Sequence, residues 1–262
     1  MGSLKRVFVP ALLVVCLLLG LCGCGASGKY KIVKTLEKQS YSIGFRSGDS
    51  VAYYVTGALE ELQADGTVTA LSRQWFGDDR AAFAANADAL KSAGDIPQRS
   101  LLVGVDENAY PVSYKENGEY AGFDVELAKK VCEKLGWEAR FLPIQAKDAY
   151  VELSSGNVDV AWGGLALDTA AKNYTVFGPY MTNELVIAAL SGTGSGVSGK
   201  TLVMSVSQDA MDALDADPAL KSKFGKITRL TGDTAACFAA LDSGEGDMIV
   251  TDSTAVEYEN TH

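Results

Sequence analysis

Histidine is all but missing from this sequence: the 262 residues contain one, His262. Imidazole acid–base chemistry and imidazole metal sites are therefore not expected, and no metal or cofactor is read from the chain. Cysteine is scarce beyond the first 24 positions, where only Cys132 and Cys237 remain. Both sit at helical spacing among apolar residues and read as small buried hydrophobes rather than a disulfide pair. Positive charge is in deficit, with 23 Lys and Arg against 33 Asp and Glu and a net charge of −10. That balance argues against nucleic acid as a partner and against a polybasic grip on anionic lipid. Long apolar runs are lacking except from Val7 to Leu21, which is short for a membrane span.

That one run has the layout of an export signal, with Lys5 and Arg6 before it and small residues after it. It ends Leu21-Cys22-Gly23-Cys24, which resembles a bacterial lipobox. Cys24 is the expected lipidation site, because Leu21 is too bulky for the position before a modified Cys22. Acyl chains contribute about 0.8 kcal/mol per buried methylene, so several would hold a soluble domain at a membrane. The expectation is a lipid-anchored protein on the extracytoplasmic face of the cell membrane.

What the rest contains is alternating strand and helix signals. Strands are expected at Lys29–Thr35 and Tyr41–Phe45, followed by a turn at 46–49 and a helix capped by Asp49 or Ser50. That helix carries Val51, Tyr54, Val55, Ala58, Leu59 and Leu62 on one face, and a second holds Val68, Leu71 and Trp75. Alanine-rich residues 78–95 suggest a helical connector. From Leu101 the pattern becomes repeated strand–helix units: a strand to Val105, a helix from Asp124 to Leu135, strands through Val158–Trp162 and Leu185–Leu190. Glycine at 192, 194 and 196 marks a flexible crossing. The pattern then restarts with strand 201–206, helix 208–214, strand 226–230, helix 234–241 and strand 247–251. Two α/β lobes with ligand at the carboxyl ends of their strands are expected.

Residues 101–262 resemble the polar amino-acid binding proteins of bacterial ABC importers, solute-binding protein family 3. The resemblance rests on Val103-Gly104-Val105-Asp106, Pro111-Val112-Ser113-Tyr114, Gly122-Phe123-Asp124, Gly156-Asn157-Val158-Asp159, Gly163-Gly164, Pro179-Tyr180 and Gly246-Asp247-Met248-Ile249-Val250-Thr251-Asp252. The family's closing pieces are found at the other end of the chain. Residues 41–49 resemble its return crossing, and 59–67 with Trp75-Phe76-Gly77 resemble its final helices. The resemblance implies an α/β, two-lobed periplasmic-binding-protein-like (type II) fold with a hinge, circularly permuted. Its expected plan is a signal at 1–23, a lipidated tether at 24–28, and the closing strand of lobe 2 at 29–40. Residues 41–77 supply the return crossing and terminal helices of lobe 1, 78–98 the linker, 99–191 lobe 1 and 192–262 lobe 2. The hinge is expected near Leu190–Gly196 and Tyr41–Phe45. A truncated or rearranged product that pairs with another chain, or swaps segments with a second copy, is the rival explanation.

Carried onto this chain residue by residue, the resemblance implies that Asp252 receives a ligand ammonium. The family's carboxylate-binding arginine falls on Ala171, leaving Lys172 as the possible carboxylate partner, and its threonine falls on Ala166. Gly163, Gly164 and Leu165 would offer backbone to the ligand. Ser207 and Gln208 would open a helix toward an anion. The aromatic clamp falls on Ala109, so Tyr110, Tyr114 and above all Trp162 are candidates to cover an apolar or cationic group. Asp106 would select a polar ligand end.

The function implied is capture of an amino acid or related amine-containing solute by hinge closure, and delivery to the permease and ATPase of an ABC importer. No catalysis is expected. Cyclohexadienyl dehydratases are similar to this family, which leaves an enzymatic alternative with Glu107 or Asp106 as acid. A ligand-sensing surface lipoprotein without transport is the other.

Overall fold

The computed structural model describes residues 28–170, 172–205, 208–231 and 234–262, and of residues 208 and 209 the backbone only. The Cys24 and Ser207 expectations lie outside these residues. The described residues open with β1 (Tyr30–Arg46), α1 (Val51–Ala64) and α2 (Thr67–Phe76), then pass to β2 (Ser100–Val105). A small antiparallel sheet follows, made of β3 (Asn108–Ala109), β4 (Ser113–Glu116) and β5 (Glu119–Ala121). Next come α3 (Phe123–Leu135), β6 (Glu138–Pro143), α4 (Ala149–Ser155), β7 (Val160–Ala161) and the long β8 (Tyr174–Leu190). The last third holds β9 (Thr201–Ser205), α5 (Gln208–Asp215), α6 (Pro218–Lys221), β10 (Lys226–Leu230), α7 (Thr234–Ser243), β11 (Met248–Asp252) and α8 (Ser253–Thr261).

Eight strands form one continuous sheet in the order β10-β9-β11-β8-β1-β7-β2-β6. Its centre is the antiparallel pair β1 and β8, matched from Tyr30↔Leu190 to Arg46↔Tyr174. The end of β1 pairs with β7 through Gly44↔Ala161, while the end of β8 pairs with β11 through Ile249↔Ala188. One end of the pair thus completes lobe 1 and the other completes lobe 2. Each strand is an edge in one lobe and interior in the other. Around Ser42 the register slips, so that β8 has three residues between Phe177 and Met181 against one on β1. Such a bulge bends the ladder where the chain passes between lobes.

Side chains follow the period of two that a sheet covered on both faces requires. In lobe 2, Leu185, Ile187, Leu202, Met204, Met248 and Val250 face the core under α5 and α6. Val186, Ala188, Val203 and Ile249 face the opposite core with Phe238 of α7 and Val256 of α8. Lobe 1 buries Leu59, Trp75, Leu127 and Val131 of α1 to α3 on one side of its strands. Leu153 of α4 covers the other side with Val158 and Leu165. Cys132 and Cys237 are buried in the cores of different lobes.

Three expectations need correction. The strands at Lys29–Thr35 and Tyr41–Phe45 are one strand, because the polar stretch between them stays hydrogen-bonded to β8 through pairs such as Lys38↔Glu184. Residues 78–95 contain no helix. The Asp79 and Asn86 side chains accept from the Ala81 and Asp88 amides, both at 3.1 Å, and draw the chain into turns instead. The crossing between lobes lies within β8, between its lobe 1 pairing up to Phe177 and its β11 pairing from Leu185, and not at Gly192–Gly196. Those glycines belong to the loop from β8 to β9, inside lobe 2, so the boundary expected at residue 191 moves back into β8. Asp49 does act at the start of α1, accepting from the Val51 amide at 2.9 Å.

Candidate functional site

The sheet's polarity decides where a site can form. In lobe 1, β2 and β7 run parallel, and β1 is antiparallel to both β7 and β8, so β2, β7 and β8 all run toward lobe 2. In lobe 2, β11 is antiparallel to β8 and parallel to β9, so both run back toward lobe 1. The carboxyl ends of both lobes' strands therefore meet at the boundary between lobes, where α/β sheets place ligands. Asp106 follows β2, Gly163 and Gly164 follow β7 by two and three residues, and Asp252 ends β11.

Asp252 stands at the N-cap position of α8, yet its side chain makes no capping bond to that helix. Its Oδ1 instead accepts from Asn183 Nδ2 at 2.6 Å. Asp106 turns partly back on its own loop, where its Oδ1 accepts from the Asn108 amide at 2.9 Å. Its backbone amide donates to Gly163 O at 2.9 Å, tying the first loop of lobe 1 to the glycine loop. Gly164 has φ 62°, and a methyl group on it would overlap the Ala109 side chain. Alanine at 109 and glycine at 164 are thus a matched pair, which leaves no room there for an aromatic clamp.

Trp162 differs from its expectation. Its ring is fully buried, against Tyr180 at a centroid distance of 6.4 Å, so it belongs to the lobe 1 core and does not wall the cleft. Gly163 and Leu165 are buried too, and of the glycine loop only Gly164 keeps partial exposure. Tyr110 is half-buried and donates to Glu259 Oε1 on α8 at 2.6 Å. Burial first, and Glu259 next, raise its hydroxyl pKa. Tyr114 packs edge-on against Tyr110 at 5.0 Å. Its hydroxyl is pushed up to about 12, mainly by burial. The two tyrosines bridge lobe 1 to α8 through the Tyr110–Tyr258 contact at 5.5 Å. Gln208 begins α5, and Lys172 is exposed.

Sequence reasoning missed four residues. Asp124, in the first turn of α3, is fully buried and accepts from the Gly164 amide at 2.9 Å and from the Tyr180 hydroxyl. Burial pushes its carboxyl up to about 7, against the pull of those two donors. Arg80, from the irregular segment after α2, pairs with Glu257 of α8. Burial lifts Glu257 to about 7, with Arg80 opposing the shift. Asn183, in the crossing part of β8, is the fourth. Asp124 falls inside the Gly122-Phe123-Asp124 motif and could have been singled out, whereas the other three carry no local signal.

Two cavities flank this region. One, of about 230 Å³, lies at the carboxyl ends of β2 and β6 and is lined by Asp106, Glu107, Asn108, Gln145, Asp148 and Glu152. The other, of about 470 Å³, lies against the crossing strands and is bounded by Lys38, Arg80, Asn183, Glu184, Ser253 and Glu257 among others.

Two α/β lobes are joined by a shared pair of long strands, with polar groups gathered at their boundary. Residues 101–227 match the sequence profile of the bacterial extracellular solute-binding proteins, family 3. The chain is 28% identical over 99 residues to the arginine-binding extracellular protein ArtP of Bacillus subtilis strain 168, covering 37% of this chain and 39% of that one. It is 32% identical over 114 residues to a probable amino-acid ABC transporter-binding protein of Haemophilus influenzae, covering 39% and 43%. Cyclohexadienyl dehydratase of Pseudomonas aeruginosa is 23% identical over 151 residues, 55% of each chain. The matches span 39% to 55% of these curated relatives' lengths. Among solved structures, an ancestral cationic amino acid solute-binding protein superposes with TM-score 0.50 at 26% identity, covering 64% of this chain and 74% of that one. The fold is that of the type II periplasmic binding proteins.

Proposed function

We propose that this protein is an extracytoplasmic solute-binding lipoprotein, anchored through Cys24, that captures an amino acid between its lobes and delivers it to an ABC permease and ATPase. The observation that carries the reading is Asp252: a carboxylate at the end of a central lobe 2 strand, facing the boundary and unused as a helix cap. A carboxylate there is an acceptor suited to an ammonium group. Asp106 and the carboxylates lining the lobe 1 cavity favour a solute whose far end is also cationic. ArtP is an arginine-binding protein and the ancestral protein a cationic amino acid solute-binding protein, which agrees with such a solute. Lys172 is the proposed partner of the solute carboxylate, with the backbone around Gly164, Ser207 and Gln208 completing the grip, and Tyr110 and Tyr114 covering it.

Capture needs no covalent step. Glu107, an acid the dehydratase alternative would need, is held by Lys115 at 2.7 Å, which supports binding over catalysis. We also propose that the order of the chain is a circular permutation of the family's. The Asn260 side chain, at the end of α8, accepts from the Tyr30 amide at 2.8 Å and donates to Tyr30 O at 2.9 Å. The end of α8 therefore lies beside the start of β1, and a short join there would give the family's order. Residues 78–98 would be the added link.

A thermal-shift panel of the twenty amino acids, cadaverine and small peptides tests the solute class, because a ligand that binds only the folded form raises the midpoint with its concentration. At least one cationic amino acid should raise it, and D252A should remove the effect. A panel without any shift would exclude the amino-acid reading. A shift unchanged in D252A would remove Asp252 from the site.

A further inference from the structure

Asn183 is 2% exposed and lies in the part of β8 that crosses between the lobes. Its amide nitrogen, which carries two N–H groups, donates to Asp252 Oδ1 at 2.6 Å and shares its other hydrogen between Tyr41 Oη at 2.9 Å and Gln39 Oε1 at 3.1 Å. Its carbonyl oxygen accepts from Ser253 Oγ at 3.2 Å, Thr254 Oγ1 at 3.3 Å and the Thr254 amide at 3.4 Å. The orientation of the amide is fixed by chemistry, since a carboxylate oxygen can only accept and a backbone amide can only donate. One buried side chain thus joins both crossing strands, the end of β11 and the first turn of α8.

We propose that Asn183 is a positioning residue of the solute site: it holds the Asp252 carboxylate in the orientation that meets an ammonium group and ties it to the strands that bend on closure. The inference rests on the reading of Asp252 given above. Asn183 supplies the N-terminal bond to α8 that Asp252 does not make. This relieves Asp252 of a capping role and leaves its carboxylate directed by β8. The carbonyl half of the amide serves the first turn of α8. The nitrogen half is spent on Asp252 and on the two β1 side chains, Gln39 and Tyr41. Movement of β8 against β1 on closure would therefore reach Asp252 directly.

The test uses N183D, which keeps the oxygen that bonds α8 and replaces the donor facing Asp252 by a second carboxylate. Two carboxylates that close share a proton, so Asp252 becomes partly neutral near neutral pH. The other charged groups around the amide are Lys38 of β1, Glu184 of β8, Glu257 of α8 and Arg80, with the Tyr41 hydroxyl, and all of them are unchanged in the variant. The purified protein is titrated calorimetrically with L-arginine, L-lysine and L-histidine between pH 6 and pH 9, alongside D252A and N183A. N183D should bind at least about tenfold more weakly than wild type at pH 6.5, in line with loss of a charge-assisted hydrogen bond. The deficit should shrink as pH rises. N183A should lose affinity without the pH-dependent recovery. If D252A abolishes binding while N183D binds as wild type at every pH, the positioning role is wrong and the reading of the site stands. If D252A binds as wild type, or wild type binds none of the three, the reading of the site fails and takes this inference with it.

Discussion

Asp124 and Gly164 show how single residues set the site's limits. The Asp124 carboxyl is raised to about 7 by burial, well above the ordinary carboxylate value of the unfolded chain. Between about pH 4 and pH 7 the folded protein therefore holds a proton that the unfolded chain has released, and stability falls as pH rises through that window. Glu257 acts in the same sense over the same range. Urea unfolding of wild type should show a midpoint that declines from pH 4.5 to pH 7, and D124N should make the decline shallower. Equal slopes would show that Asp124 is ionised throughout. At Gly164, φ 62° and the Ala109 methyl both oppose a side chain. G164A should cost about 1–3 kcal/mol, and adding A109G should recover part of it, since only the overlap and not the backbone strain is relieved. Urea unfolding of the single and double variants decides this.

At the scale of elements, β1 is the unusual piece: its first half is an edge strand of lobe 2 and its second half an interior strand of lobe 1. Proline should discriminate between the halves. Ile43 is fully buried between β7 and β8, so I43P should lose ladder bonds and packing and cost about 3 kcal/mol or more. Val33 sits in a bulge on the edge, where a missing N–H is tolerated, and V33P should cost distinctly less. Urea unfolding followed by circular dichroism measures both, and equal losses would contradict the topology. The elements legible in the sequence were those with a strong period, such as α3, with Leu127, Val131 and Leu135 inward, and β9 and β11, with continuous apolar runs. What was not legible depended on partners distant in sequence. The polar residues Glu37–Ser40 read as a break between strands, but pairing with β8 carries the strand through them. Residues 78–95 read as helix from their alanines, but the turns made by Asp79 and Asn86 prevail. Trp162 looked like a cleft aromatic because it precedes two glycines, and only packing against Tyr180 shows that it points into the core. Asn183 gave no signal at all, since its five partner residues are spread from residue 39 to residue 254.

At the scale of the molecule, the two lobes depend on a shared strand pair, and the second half of α8 touches lobe 1. Glu257 meets Arg80, Tyr258 stacks on Trp75 at 5.3 Å, and Glu259 accepts from Tyr110. The proposed permutation has a direct consequence. A chain relinked so that residue 28 follows residue 262 through a short spacer, and opened within 78–98, should fold and unfold cooperatively and bind the same solute. Loss of folding or binding would argue that the order found here is required by the fold. The central claim is capture of an ammonium-bearing amino acid at Asp252, between the lobes. Calorimetric titration of the wild-type protein and D252A with L-arginine, L-lysine and L-histidine tests it most directly. The account predicts one-to-one binding of at least one of them by wild type and none by D252A. Absence of binding to all three, or equal binding by D252A, would contradict it.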